Sequence, residues 1–225
     1  GAWSIAGFTG ALIGLLMMNS HSAPHGHFWI IAGIVWLSTF LNYKQLIPGK
    51  APKQPTQKLF VKPEGSLLKL GVIGFCSMGA EGAMFDWSGV YFKEVVHAPA
   101  SLVVLGYATF MVMMATGRFI GDWAIKALGR KRILQISGGL IFLGMSISVI
   151  FPFLITATFG FVLVGLGVAC VVPTVYSLAG RNGKVAPGMA LAMVSSVSYL
   201  GFLMGPPLIG YIAHLADLRY SYAVI

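Results

Sequence analysis

Apolar residues run in long blocks along this chain, and short polar or basic stretches separate them. Ala2–Met18, Phe28–Tyr43, Leu67–Tyr91, Ser101–Phe119, Ile133–Phe151, Leu154–Ala179 and Gly188–Ala213 form seven blocks, and another begins at Tyr220–Ile225. Each has about the length at which a helix crosses a bilayer, and none alternates with the period of two that a membrane β-barrel needs. The pattern therefore predicts an all-α, polytopic bundle of membrane helices. Between the second and third blocks lies KQLIPGKAPKQPTQKLFVKPEG, with four prolines and five lysines from Lys44 to Gly65. Such a segment does not pack; it reads as a linker, dividing the chain into residues 1–43, the linker 44–66 and a second helical unit, 67–225. Both ends of the sequence fall inside apolar blocks, so the expectation is a piece of a longer chain with its last helix cut short.

Composition narrows the class. Hydrophobic residues make up 57% of the 225 and charged residues only 9%, with a mean hydropathy of +0.83; a soluble domain carries roughly 25% charged residues. The net charge of +9 does not point to nucleic acid, because the cations sit in alternate connections rather than on one contiguous face. Thirteen fall on one side of the expected membrane: Lys44, Lys50, Lys53, Lys58, Lys62, Lys69, Arg118, Lys126, Arg130, Lys131, Arg132, Arg181 and Lys184. Only Lys93 and Arg219 fall on the other. By the positive-inside rule the linker and the stretch GRFIGDWAIKALGRKR (Gly117–Arg132), read as a loop, face the cytoplasm.

The chain carries no GxSxG, HExxH or P-loop pattern, so neither an enzyme nor a cofactor is expected. Cys76 and Cys170 lie within apolar blocks and read as small fillers. His21, His25 and His27 share a polar turn and read as solvated; no metal site is expected.

The residues left to carry chemistry lie in the membrane. Glu81 is about fourteen residues, or ~21 Å, into its block, and an ionisable group at that depth faces a cavity, a partner or a solute path. The bland reading is a hydrogen-bonded packing residue. Asp86, about 140° further round the helix, is as well suited to a structural contact near the outer rim as to a solute. Trp87, Tyr107 and Tyr176 suit a cavity wall; Trp87 equally suits an interfacial aromatic belt, and Tyr107 and Tyr176 plain helix packing. Pro173 and the Gly205, Pro206, Pro207 group fall in mid-block, where interrupted helices serve as hinges in rocking transporters. AGFTGALIG (Ala6–Gly14) faintly echoes LGFLMGPPLIG (Leu200–Gly210), as a duplicated architecture would.

Gly117, Arg118, Asp122, Gly129, Arg130, Lys131 and Arg132 resemble the signature between the eighth and ninth helices of major facilitator superfamily transporters, a Gly…Asp-Arg/Lys-x-Gly-Arg-Arg pattern. Gly129 to Arg132 match its end. Asp122 departs from it, standing seven residues before Gly129 rather than three. EGAMFDWSGVYF (Glu81–Phe92) is similar to the seventh helix of the bacterial YbjJ-type members related to fucose permease. GVACVVPTVYSLAGR (Gly167–Arg181) and the Gly-x-x-x-Gly-Pro-Pro stretch resemble their tenth and eleventh helices. The resemblance covers essentially the whole chain. It implies the fifth and sixth helices, the central linker, and a C-terminal bundle up to the start of the twelfth, with the first four helices, and half the solute cavity, in the missing N-terminal half. It further implies an inner-membrane protein of bacteria that moves a small, sugar-like or other polar solute by alternating access. With no ATP-binding element, an ion gradient, that of protons, is the expected drive; Glu81 contacts solute or proton, Asp86 assists, and the 117–132 motif braces helix ends. Met111, Met113 and Met114 favour efflux of amphipathic compounds instead, and a membrane sensor or scaffold without flux is the rival from another class.

Overall fold

In the computed structural model, residues 6–7, 9–10, 13, 17, 24–45 and 65–224 are described. The first apolar block, most of the linker and the first copy of the glycine echo lie largely outside them. The described elements are helices: α1 (Pro24–Asn42), α2 (Gly65–Glu94), α3 (Leu105–Leu128), α4 (Arg130–Ile150), α5 (Leu154–Ala179), α6 (Pro187–Leu215) and α7 (Leu218–Ala223), with single 3-10 turns at Tyr43–Gln45 and Ala100–Leu102. Among the described residues, five helical segments are long and apolar enough to span a membrane, corresponding to α2 through α6.

The chain divides into two compact units, Thr9–Lys62 and the remainder. In the smaller, α1 opens with Pro24 in its first turn, where a proline costs no hydrogen bond. His25 and His27, expected in a turn, belong to that helix instead; His21 lies outside the described residues.

In the larger unit α5 is the hub, packing against α2, α3, α4 and α6. Small residues let it. A methyl group at Gly165 would lie 2.6 Å from the carbonyl oxygen of Phe110 on α3, and one at Gly167 would lie 2.9 Å from that of Ser137 on α4. Helices in lipid gain no hydrophobic drive from each other, so such close backbone contact supplies the packing energy. The outer surface is as apolar as the core: Phe142, Phe153, Ile155 and Leu203 are all exposed, as a lipid-facing surface requires.

Two expectations are corrected. The stretch Gly117–Arg132 is not a loop. Helix α3 continues to Leu128, α4 starts at Arg130, and Gly129 alone joins them. Nothing between Phe119 and Leu128 breaks a helix, and Gly129 takes φ 81°, a conformation that favours glycine. The helices bearing Pro173 and Pro206-Pro207 are not interrupted either; both run unbroken through their prolines. The two missing N–H groups of Pro206 and Pro207 free the carbonyls of Phe202 and Leu203 four residues earlier. The Phe202 oxygen is turned against Gly82 of α2, 2.8 Å from where a β-carbon would stand, so the freed group sits in a helix crossing.

Candidate functional site

Arg118, placed by sequence with the cytoplasmic motif, belongs to the spanning part of α3. It lies thirteen residues after Leu105. Gly117 packs onto Ala169, and Gly121 stands where a methyl group would come 2.8 Å from Cys170 Sγ. These two glycines press α3 against α5. On α2, Glu81 lies sixteen residues after Gly65. Arg118 Nη2 donates to Glu81 Oε1 at 3.2 Å, and the two side chains are 13% and 5% exposed. Here α2 and α3 share a buried ion pair near mid-span. The count of thirteen inner cations therefore drops by one.

The pair is incompletely satisfied. Arg118 Nε is enclosed and has no hydrogen-bond partner among the described residues, although a guanidinium offers five donors. Ser77 Oγ, one turn before Glu81 on α2, and Thr174 Oγ1 on α5 are likewise enclosed without partners. Tyr176 lies within the field of Glu81 and beside Ser198. The Ser198 hydroxyl donates to Val194 O at 2.8 Å, and the Tyr176 hydroxyl makes no bond of good geometry. Buried polar groups without partners are rare, and each calls for a reason such as strain, a water or ion, or a functional role.

Asp86 lies apart from this pair. It is exposed and forms no ion pair with a described residue; Lys93, two turns further along α2, binds Glu94 at 2.9 Å. Asp86, Trp87, Pro206 and Pro207 line one groove of about 520 Å³ between α2 and α6. Asp86 and Tyr107 line another of about 560 Å³ beside α3. Trp87 Nε1 donates to Pro206 O at 3.0 Å, tying α2 to α6 at the double proline. Gly205 is fully enclosed at that crossing, where a methyl group would stand 2.7 Å from the carbonyl oxygen of Gly79. Pro173 is exposed on α5. Asp122, Lys131 and Arg132 are exposed and Arg130 is half-buried. Met111 and Met114 are fully buried in the core, so they line no open cavity. A further cavity, of about 640 Å³, is walled by Val72, Cys76, Leu134, Phe142 and Tyr222 among others and includes neither Glu81 nor Arg118.

Sequence reasoning missed Arg118 as a partner of Glu81. The available signal was that apolar residues continue on both sides of it, Phe110–Thr116 before and Phe119–Ile120 after, which is unlike the edge of a span.

A multi-pass helical protein with an ion pair buried in its membrane layer carries the kind of group that marks a solute or ion path. Comparison with known proteins agrees. The family description of the Major Facilitator Superfamily matches residues 1–186, and the chain belongs to that superfamily of transporters. It is 34% identical over 167 residues to an uncharacterized MFS-type transporter of Yersinia pestis, covering 74% of this chain and 44% of that one. It is 37% identical over 152 residues to the membrane protein MosC of Rhizobium meliloti, covering 68% and 37%. A third relative, an uncharacterized transporter of Sinorhizobium fredii, is 29% identical and covers 99% of this chain and 59% of its own length. The chain thus spans about half the length of the curated relatives it matches. No solved structure matches it at a comparable level.

Proposed function

We propose that the whole protein is a secondary transporter of the bacterial inner membrane, moving a small polar solute by alternating access, with proton movement coupled through Glu81 and Arg118. The buried pair carries the reading. Arginine does not give up its proton in a protein, so a proton arriving on Glu81 leaves the guanidinium uncompensated in a medium of low dielectric. That state is costly. Arg118, with Nε already lacking an acceptor among the described residues, must then turn to a solute oxygen or to water. Protonation and rearrangement become one event, which is what coupling requires.

The other expected residues take supporting roles in this proposal. Asp86, Trp87 and Tyr107 contact the solute from the grooves of α2, and Tyr176 stands beside the pair. Gly205, Pro206, Pro207 and Pro173 give bending points within continuous helices, and the α3–α4 corner at Gly129 braces the cytoplasmic side. Half the cavity belongs to the N-terminal helices beyond this chain. With Met111 and Met114 enclosed in the core, only the half-buried Met113 is left to support the efflux alternative.

The test uses the full-length protein in sealed vesicles under an imposed inward proton gradient, with labelled sugars and other polar metabolites. Gradient-driven accumulation is expected for the wild type, and Glu81→Gln should retain at most gradient-independent exchange. Unchanged pH-dependent uptake by Glu81→Gln would remove Glu81 from coupling. Binding without accumulation or counterflow would favour a sensor.

A further inference from the structure

The chain holds six carboxylates, few enough to account for each. Glu81 is paired with Arg118 and Glu94 with Lys93; Asp217 caps α7 by accepting from the Arg219 amide. Asp86 lies on α2 in the grooves described above, and Glu64 lies outside the described residues. Only Asp122 remains near the α3–α4 corner, against Lys126, Arg130, Lys131 and Arg132. Because one residue joins the helices, all four cations fall within the last turn of α3 and the first turn of α4. None makes an ion pair with a described carboxylate. Three of them occupy the first turn of α4, which has no acidic residue and no side-chain cap. A helix start carries partial positive charge and disfavours cations, so the local electrostatics oppose this arrangement unless an anion accompanies it.

The surroundings say which anion. From Arg132 the face of α4 continues through Ile136, Gly139 and Leu143, at i+4, i+7 and i+11, all exposed. On a spanning helix that apolar face meets hydrocarbon. The cations therefore stand at its rim, at the level of phosphate groups, where Lys and Arg stems lie along the apolar surface and their heads reach outward.

We infer that the α3–α4 corner, Lys126 with Arg130, Lys131 and Arg132, is a binding site for the phosphate headgroup of an anionic phospholipid. The acyl chains lie along the Ile136–Leu143 face of α4, and the headgroup supplies negative charge that, among the described residues, Asp122 alone does not balance there.

The purified full-length protein tests this in nanodiscs of phosphatidylcholine doped with phosphatidylglycerol, with bound lipid counted by native mass spectrometry after release. Phosphatidylglycerol should be enriched over phosphatidylcholine, and each neutralised cation should weaken that preference about fivefold. Lys131→Gln with Arg132→Gln should therefore lose most of it. Arg130→Lys with Arg132→Lys, which keeps the charge and the insertion signal, should retain it. Arg181→Gln, another cation expected on the same side, should leave it unchanged. Millimolar inorganic phosphate should not displace the lipid. Equal retention of the two lipids by the wild type would overturn the site, as would loss of the preference in Arg181→Gln to the same degree as in the double glutamine variant. Displacement by inorganic phosphate would reassign the corner to a soluble anion and overturn the lipid reading.

Discussion

Helix α2 carries two ion pairs that differ in almost everything except their chemistry. At its outer end Lys93 and Glu94 meet at 2.9 Å with side chains 69% and 56% exposed. Near its middle Glu81 meets Arg118 at 3.2 Å with side chains 5% and 13% exposed. The shorter contact is the weaker determinant. Water already solvates both partners at the rim, so separating them exposes nothing new. In the buried pair each charge depends on the other, since removal of either leaves an ion without compensation. Distance reports that two groups touch; burial reports what happens when they part.

The largest effect should come from breaking the inner pair on one side. Glu81→Ala is expected to destabilise the full-length protein by about 3–5 kcal/mol, read as a fall in thermal midpoint in detergent. The double change Glu81→Met with Arg118→Leu should recover most of that stability while leaving proton coupling absent. If the single and double variants are equally unstable, the pair is not the source of the loss. Next is the crossing that holds α2 against α6. Gly205→Ala puts a methyl group 2.7 Å from the Gly79 carbonyl, and overpacking of that kind costs about 1–3 kcal/mol; an unaltered midpoint would show that the two helices separate easily.

Trp87→Phe keeps an aromatic ring and removes the 3.0 Å bond to Pro206 O. The expected loss is about 1 kcal/mol, and a larger one would assign the indole N–H a role beyond packing. Smallest is Lys93→Gln. It should leave the midpoint unmoved at any salt concentration, and a clear fall would contradict the contrast drawn between rim and interior.

Much of the fold is legible in the sequence because lipid imposes a simple rule on it. Leu154–Ala179 is bounded by Pro152 before it and by Gly180 and Arg181 after it, and the structure gives the same helix. Elsewhere ends move where a charge reads as an edge. Arg118 looks like the start of a loop because a lone cation in hydrocarbon is costly. Its counter-charge lies 37 residues away, and a one-dimensional pattern shows no such pairing. The double proline misleads for a related reason. The sequence shows that two donors are missing, but not that the freed Phe202 carbonyl faces Gly82 across a helix contact. Glu81 is legible as a residue that needs a partner; the partner's identity requires the fold.

The most direct measurement follows the distance between spin labels at Lys44 and Arg181, on the two units of the full-length protein in lipid, as pH is varied. It needs no knowledge of the solute. The wild type should shift between two distance populations as Glu81 takes up a proton, and Glu81→Gln should hold the low-pH population at every pH. A Glu81→Gln protein that keeps the wild-type pH response would contradict the account.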